Sequence, residues 1–349
     1  MATEVDPGQV REPATISRPP TAWERGCDVS FRVLTYVVAW LTVALVFYIV
    51  FKIGWTALPA IKERGLGFFA GKTWDVNKGE FGILPQIWGT IYSSVLALII
   101  GGVLGLAVAI FLSERFLSSL VFIVLKFFGI QFHRFWGKLP DQAENLLKNL
   151  VELLAAIPSV VYGLWGIFVV IPMIRPWCNV IHANLKWLPW FSTPLSGPGM
   201  LPAAVVLAIM ILPTVSAISR DALTSVPPRL REAAYGLGAT RWEAVFGVIM
   251  PTAATGILGS ILLAFGRALG ETMALAMLVG NFNVMSWSLF SPANTLAALL
   301  ANNFGEADKP LTVAVLMYAA LVLMGITLLV NILGALVLQR ATRGLKGVR

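Results

Sequence analysis

The chain has 349 residues, 57% hydrophobic and 13% charged, with a mean hydropathy of +0.79 and a formal net charge of +8. Soluble domains carry about a quarter charged residues, so this composition excludes an ordinary water-soluble globule and places the core in contact with lipid. The basic residues lie scattered between apolar runs instead of forming one patch, which marks membrane topology and argues against nucleic-acid binding.

Residues 1–32 are polar, contain Pro7, Pro13, Pro19 and Pro20, and read as a disordered cytoplasmic tail. That stretch is too long and too charged for the front of a signal peptide, and no small-residue cleavage site follows the first apolar run. Val33 to Phe51 is the first apolar run, long enough as a helix to cross roughly 30 Å of hydrocarbon. Lys52 to Gly82 is expected to be a loop. It contains GLGFFAGKT, Gly65 to Thr73, a partial likeness to a phosphate-binding loop, but Leu66 stands where that motif needs its first glycine. ATP binding by this chain is therefore not expected. The second span is read over Ile83 to Leu112, where Gly101 and Gly105 suit close helix packing.

Residues 113–148 form a cytoplasmic or interfacial insertion. Within it Leu117 to Phe128 is apolar but too short to cross, and Arg115, Lys126, Arg134 and Lys138 favour an amphipathic segment lying on the membrane. The third span is read over Asn149 to Ile174, bent by Pro158, and Arg175 to Gly199 as a Trp- and Pro-rich interfacial loop. The fourth span runs from Met200 to Ser219, with a kink at Pro213. The fifth runs from Thr252 to Val279. After a polar loop, Asn281 to Pro310, the sixth occupies Leu311 to Leu338. The expectation is an all-α, polytopic membrane domain over 33–338 with six transmembrane helices and a basic tail at 339–349.

Six spans put both termini on one side. Most of the 26 lysines and arginines then fall in residues 1–32, 113–148, 220–251 and 339–349, which places those segments in the cytoplasm. Cys27 and Cys178 fall on opposite sides, so no disulfide between them is expected. His133 and His182 make no metal-ligand cluster, and no nucleophile–base pair lies near a membrane face, which argues against a membrane enzyme.

The cytoplasmic loop 220–251 is compact. Pro227 and Pro228 start a short helix, Gly236 and Gly238 allow a tight turn, and a second helical segment runs to Pro251. Glu232, Ala233 and Ala234 present a small, slightly acidic surface. That surface suits either a partner's groove or an ordinary solvated loop. The spacing of Glu232-Ala233-Ala234, Gly238 and Val248-Ile249-Met250-Pro251 resembles the EAA loop of ATP-binding-cassette importer permeases. The usual Ile-x-Leu-Pro end is replaced conservatively here by Val248 and Met250. The resemblance implies a type I importer permease fold, with this loop as the coupling helix that docks on a separate ATP-hydrolysing subunit.

Arg267 and Glu271 lie within the fifth apolar run, and a charge facing lipid there costs at least ~2.5–3.5 kcal/mol. On a continuous helix Ser260, Ala264, Arg267 and Glu271 share one face, with Gly266 and Gly270 beside them for close helix approach. The pair reads as an anion path, since a guanidinium matches phosphate oxygens bidentately, or as a structural ion pair within one helix. GRALGETMALAMLVGN, Gly266 to Asn281, and ELLAAIPSVVYGLWGIF, Glu152 to Phe168, resemble phosphate-specific importer permeases of the PstC type. The resemblance implies translocation of inorganic phosphate past Arg267, Glu271 and Thr272. It also implies a heterodimer with a PstA-type permease, two PstB-type ATPases carrying ATP and magnesium, and an extracytoplasmic PstS-type phosphate-binding protein. No cofactor is expected on this chain itself. The PstA-type sibling, a permease for another oxyanion, and a gradient-driven anion carrier without an ATPase stand as alternative readings.

Overall fold

The computed structural model describes residues 21–76, 78–114 and 139–346. The Leu117–Phe128 segment and residues 1–20 lie outside them. In chain order the helices are α1 (Ala22–Arg64), α2 (Gly67–Ala70), α3 (Leu84–Ser113), α4 (Leu139–Ala156), α5 (Ser159–Leu185), α6 (Met200–Thr224), α7 (Pro228–Gly236), α8 (Arg241–Leu269), α9 (Met273–Leu278), α10 (Leu296–Phe304) and α11 (Pro310–Lys346). Among the described residues six of them, α1, α3, α5, α6, α8 and α11, are long and apolar enough to cross a bilayer. Among the described residues the one sheet is a hairpin of β1 (Trp74–Asp75) and β2 (Glu80–Phe81). The protein is thus an all-α, multi-pass membrane protein.

The chain divides into two units, Met1–Lys52 and Ile53–Arg349. In the first, residues 33 to 49 of α1 are all exposed and nearly all apolar, the surface a lipid-solvated helix presents. The helix begins earlier than the apolar run and continues to Arg64, through half of what reads as a loop. Pro59 lies inside the helix without ending it; the helix stops before Gly65 (φ +52°), and Lys62 and Arg64 suit its negative end.

In the second unit Ala57 and Ala60 pack in a cluster with Phe68, Phe81, Leu296, Val315 and Tyr318. The look-alike phosphate loop lies against this cluster. Phe68 stacks on Tyr318 with ring centroids 4.5 Å apart. The glycines serve a backbone crossing: a Cβ on Gly82 would lie 2.2 Å from the Gly71 carbonyl carbon.

Proline position decides two departures from the expected spans. Pro158 breaks the third span instead of bending it: α4 ends at Ala156, Pro158 is extended (φ −60°, ψ 141°), and α5 restarts at Ser159. The crossing helix is therefore α5, which carries Arg175 and Cys178 where a loop was expected. At Pro251 the opposite happens. The helix starts at Arg241 and runs through Pro251 to Leu269, with a widened π turn at Val245–Ile249 just before the proline. The widened turn accommodates the missing N–H, so Pro251 does not divide loop from span. α6 likewise runs on past Ser219 to Thr224, and α11 past Leu338 to Lys346.

Residues 281–310 are not a simple polar loop. Asn294, Thr295 and residues 296–299 are buried, and the segment packs on α3. Thr90 Oγ1 accepts from Leu296 N at 2.9 Å, and Gln86 Nε2 donates to Asn283 Oδ1 at 2.7 Å. Gly89 lets the chains touch: a Cβ there would lie 1.9 Å from the Asn294 carbonyl oxygen.

The core of the bundle is α3, α6 and α8. Gly101 and Gly105 do bring α3 close to α6, with Cβ positions 2.6 Å from Ala208 O and 2.8 Å from Val215 Cβ. Ser219 and Ser260 join α6 to α8 by a buried hydrogen bond of 2.7 Å. In lipid, where apolar burial between helices gives little driving force, close backbone approach and such polar ties hold the bundle.

Candidate functional site

The fifth apolar run is not one helix. α8 ends at Leu269, Gly270 closes its last turn, and Glu271 and Thr272 stand in a break before α9. Gly270 N donates to Arg267 O at 3.2 Å and Glu271 N to Ala268 O at 3.4 Å. Glu271 is therefore not one helical turn above Arg267 on a shared face. Neither residue enters an ion pair among the described residues. The intrahelical ion pair is thus not formed, and the two charges need another explanation.

Arg267 sits in the last turn of α8, where a cation suits the exposed carbonyls of the helix end. Its side chain is exposed on the isolated chain, while Ser260, Ala264 and Ala268 are buried against the bundle. Arg267 Nη1 donates to Thr214 Oγ1 on α6 at 3.5 Å, the outer limit of a hydrogen bond. Thr214 lies near the middle of α6, about 21 Å along the helix from Met200. The guanidinium is therefore at mid-bilayer depth. Tyr162 on α5 is buried, and its hydroxyl donates to Leu154 O at 2.7 Å. Gly266 faces α11, where a Cβ would lie 3.2 Å from Asn331 Oδ1; Gly270 meets no other helix. Glu271 and Thr272 are half-buried, and Thr272 Oγ1 donates to Gly270 O at 3.2 Å, bracing the break.

The arrangement is a mid-membrane guanidinium with most of its donors uncommitted and a neighbouring carboxylate that does not neutralise it. It can meet an anion by charge-assisted hydrogen bonds. It offers no nucleophile activated by a base. Thr214 was not singled out by sequence reasoning: a threonine in an apolar span is a weak signal without knowledge of which faces meet.

At the other end of α8 lies the loop. Pro228 occupies the first turn of α7, and Gly238 (φ +86°) adopts the left-handed conformation that glycine favours. Thr240 and Glu243 then form a reciprocal capping box at the start of α8. Glu232 and Ala233 are exposed, but Ala234 is buried at 7%, so the surface expected from the three residues is formed by two of them. Leu237, 91% exposed, stands at the tip, and Trp242 and Phe246 stack nearby with centroids 5.8 Å apart. Pro251, exposed on α8, lies beyond this surface. Arg231 turns inward from α7 to Glu114 at the end of α3, a contact 117 residues apart in sequence that no local pattern signals.

A family model of binding-protein-dependent transport system inner membrane components matches residues 134–343. The chain is 34% identical over 322 residues to the phosphate transport system permease protein PstC of Xylella fastidiosa, covering 90% of this chain and 92% of that protein. It is 36% identical over 315 residues to the protein of the same description from Haemophilus influenzae, covering 89% and 92%. In architecture it is similar to a chain of the MetNI methionine ABC transporter in an inward-facing conformation, with TM-score 0.50 and 18% identity over 74% of this chain and 95% of that one. It is similar also to a chain of a bacterial alginate ABC transporter, with TM-score 0.54 and 13% identity over 88% and 94%.

Proposed function

Since this chain belongs to the family of binding-protein-dependent transport system inner membrane components and, within it, to the PstC-type phosphate permeases, we propose that it carries inorganic phosphate through the bilayer past Arg267. The fold is that of a type I importer permease, and the chain is a permease subunit, not itself a catalyst. The observation that carries the phosphate path is the guanidinium at mid-bilayer depth, unpaired by Glu271 and reached by Thr214. An arginine so placed is tolerable beside a wet, anion-conducting route and costly against lipid.

In this reading Glu271 tempers the positive charge so that phosphate leaves again, and Thr272 braces the helix break that holds it there. The route lies between this chain and a PstA-type partner. A PstS-type protein delivers phosphate from outside, and two PstB-type ATPases bind ATP and magnesium on the inside. Glu232, Ala233 and the turn at Gly238 dock on an ATPase. Ala234 packs the docking helix onto the bundle, and Pro251 lies on the helix that continues from the loop into the membrane. Both termini and the 220–251 loop face the cytoplasm of a bacterial cell, a reading supported by the excess of lysine and arginine there.

Uptake of labelled phosphate, with sulfate and molybdate as competitors, tests the reading in a strain lacking this chain and in the same strain complemented. Phosphate-selective uptake restored by the chain, with an ATPase co-purifying, is the expected result. Uptake without any ATPase would instead establish a gradient-driven carrier.

A further inference from the structure

Arg231 ties the docking helix to the membrane bundle by hydrogen bonds. Arg231 on α7 donates through Nη1 to Glu114 Oε1 at 2.7 Å and through Nη2 to Leu223 O at 2.7 Å. Glu114 caps the end of α3, and its side chain is only 6% exposed. Leu223 is fully buried in the last turn of α6. A single guanidinium therefore gathers three elements: α7 and the ends of α3 and α6. The cation also lies where the last carbonyls of those two helices concentrate negative charge. Exposed ion pairs hold little, but this one is shielded, and removing one partner leaves the other charge uncompensated.

The next residue, Glu232, about 100° further round α7, is exposed. One face of the helix is thus offered outward while Arg231 grips inward. α6 also carries Thr214, the residue that Arg267 reaches. A continuous set of contacts leads from the outer face of α7 through Arg231 to α6 and on to mid-membrane. The fork geometry matters here: a guanidinium serves two acceptors in fixed directions, whereas an ammonium behaves as a point charge.

We propose that Arg231 and Glu114 form the strut that delivers movement of α7 to α3 and α6, so that Arg231 is a positioning residue for transport coupling. The proposal rests on the docking role assigned to the loop under the proposed function. The experiment uses the complete complex in proteoliposomes and measures phosphate transported per ATP hydrolysed, together with ATPase retained on the membrane subunits. In Arg231→Met the transport-to-hydrolysis ratio falls by about 5- to 150-fold, the range of ordinary coupling energies, while the ATPase stays bound. Arg231→Lys recovers part of the ratio, and Glu114→Gln lowers it with the arginine in place. Should Arg231→Met fail to assemble, Glu114→Gln decides by the same ratio.

An unchanged ratio in Arg231→Met and Glu114→Gln overturns the strut. So does a loss of uptake that merely follows loss of the ATPase from the complex. Glu232→Lys separates the two ideas. If it uncouples while Arg231→Met does not, the strut alone falls; if neither has any effect, the docking role of the loop falls with it.

Discussion

Replacing Arg267 with methionine keeps a long, flexible, helix-compatible side chain and removes only the charge and its donors. The structure sets what the fold loses. The guanidinium makes one described hydrogen bond, at 3.5 Å to Thr214, and no ion pair, so the cost to stability is at most about 1 kcal/mol. Transport loses more. A hydrogen bond to a charged group contributes about 1.5–3 kcal/mol, so removing one such bond to the anion at the mid-membrane barrier slows passage by roughly 10- to 150-fold. The assay is the initial rate of labelled phosphate uptake into proteoliposomes holding the complete complex, with assembly and thermal stability measured on the same preparation. Arg267→Lys keeps the charge but not the fork and should fall between. Thr214→Val should leave uptake near normal, because that hydrogen bond is long. Uptake by an assembled Arg267→Met complex within about twofold of the parent would refute the reasoning, as would a Thr214→Val defect of equal size.

Further outcomes follow from the same geometry. Glu232→Lys reverses the charge on the exposed face of α7 and should release or uncouple the ATPase, read by co-purification and by uptake; unchanged values in both remove the docking role. Gly238→Ala meets no neighbouring atom but must adopt φ +86°, which costs about 1 kcal/mol and should weaken ATPase association roughly fivefold in a direct binding measurement. Gly89→Ala drives a methyl group to 1.9 Å from the Asn294 carbonyl, so α3 and the segment leading to α10 must part. Overpacking of this kind costs about 1–3 kcal/mol, and the purified complex should melt several degrees lower, whereas an unchanged melting temperature would show that the two backbones do not touch there.

Much of this protein was legible along the chain alone, because the relevant physics is local. Hydrocarbon thickness alone picks out apolar runs of the right length, so six crossing helices could be counted in order. The 220–251 loop was equally open to reading, since prolines, glycines and spacing set α7 and the turn at Gly238 from neighbouring residues. Arg267 announced itself by being charged in an apolar run. What the tertiary structure decided was where helices stop and which faces meet. Pro158 breaks a helix while Pro251 is absorbed behind a widened turn, though both are prolines in apolar surroundings. The break at Gly270 moved Glu271 off the arginine's face, so the helical spacing that paired them on paper no longer applies. Thr214 beside Arg267 and Glu114 beside Arg231 join residues 53 and 117 positions apart. Such pairings leave no periodic trace along the chain, because they are set by close approach of glycine-faced helices and not by anything within one turn of either residue.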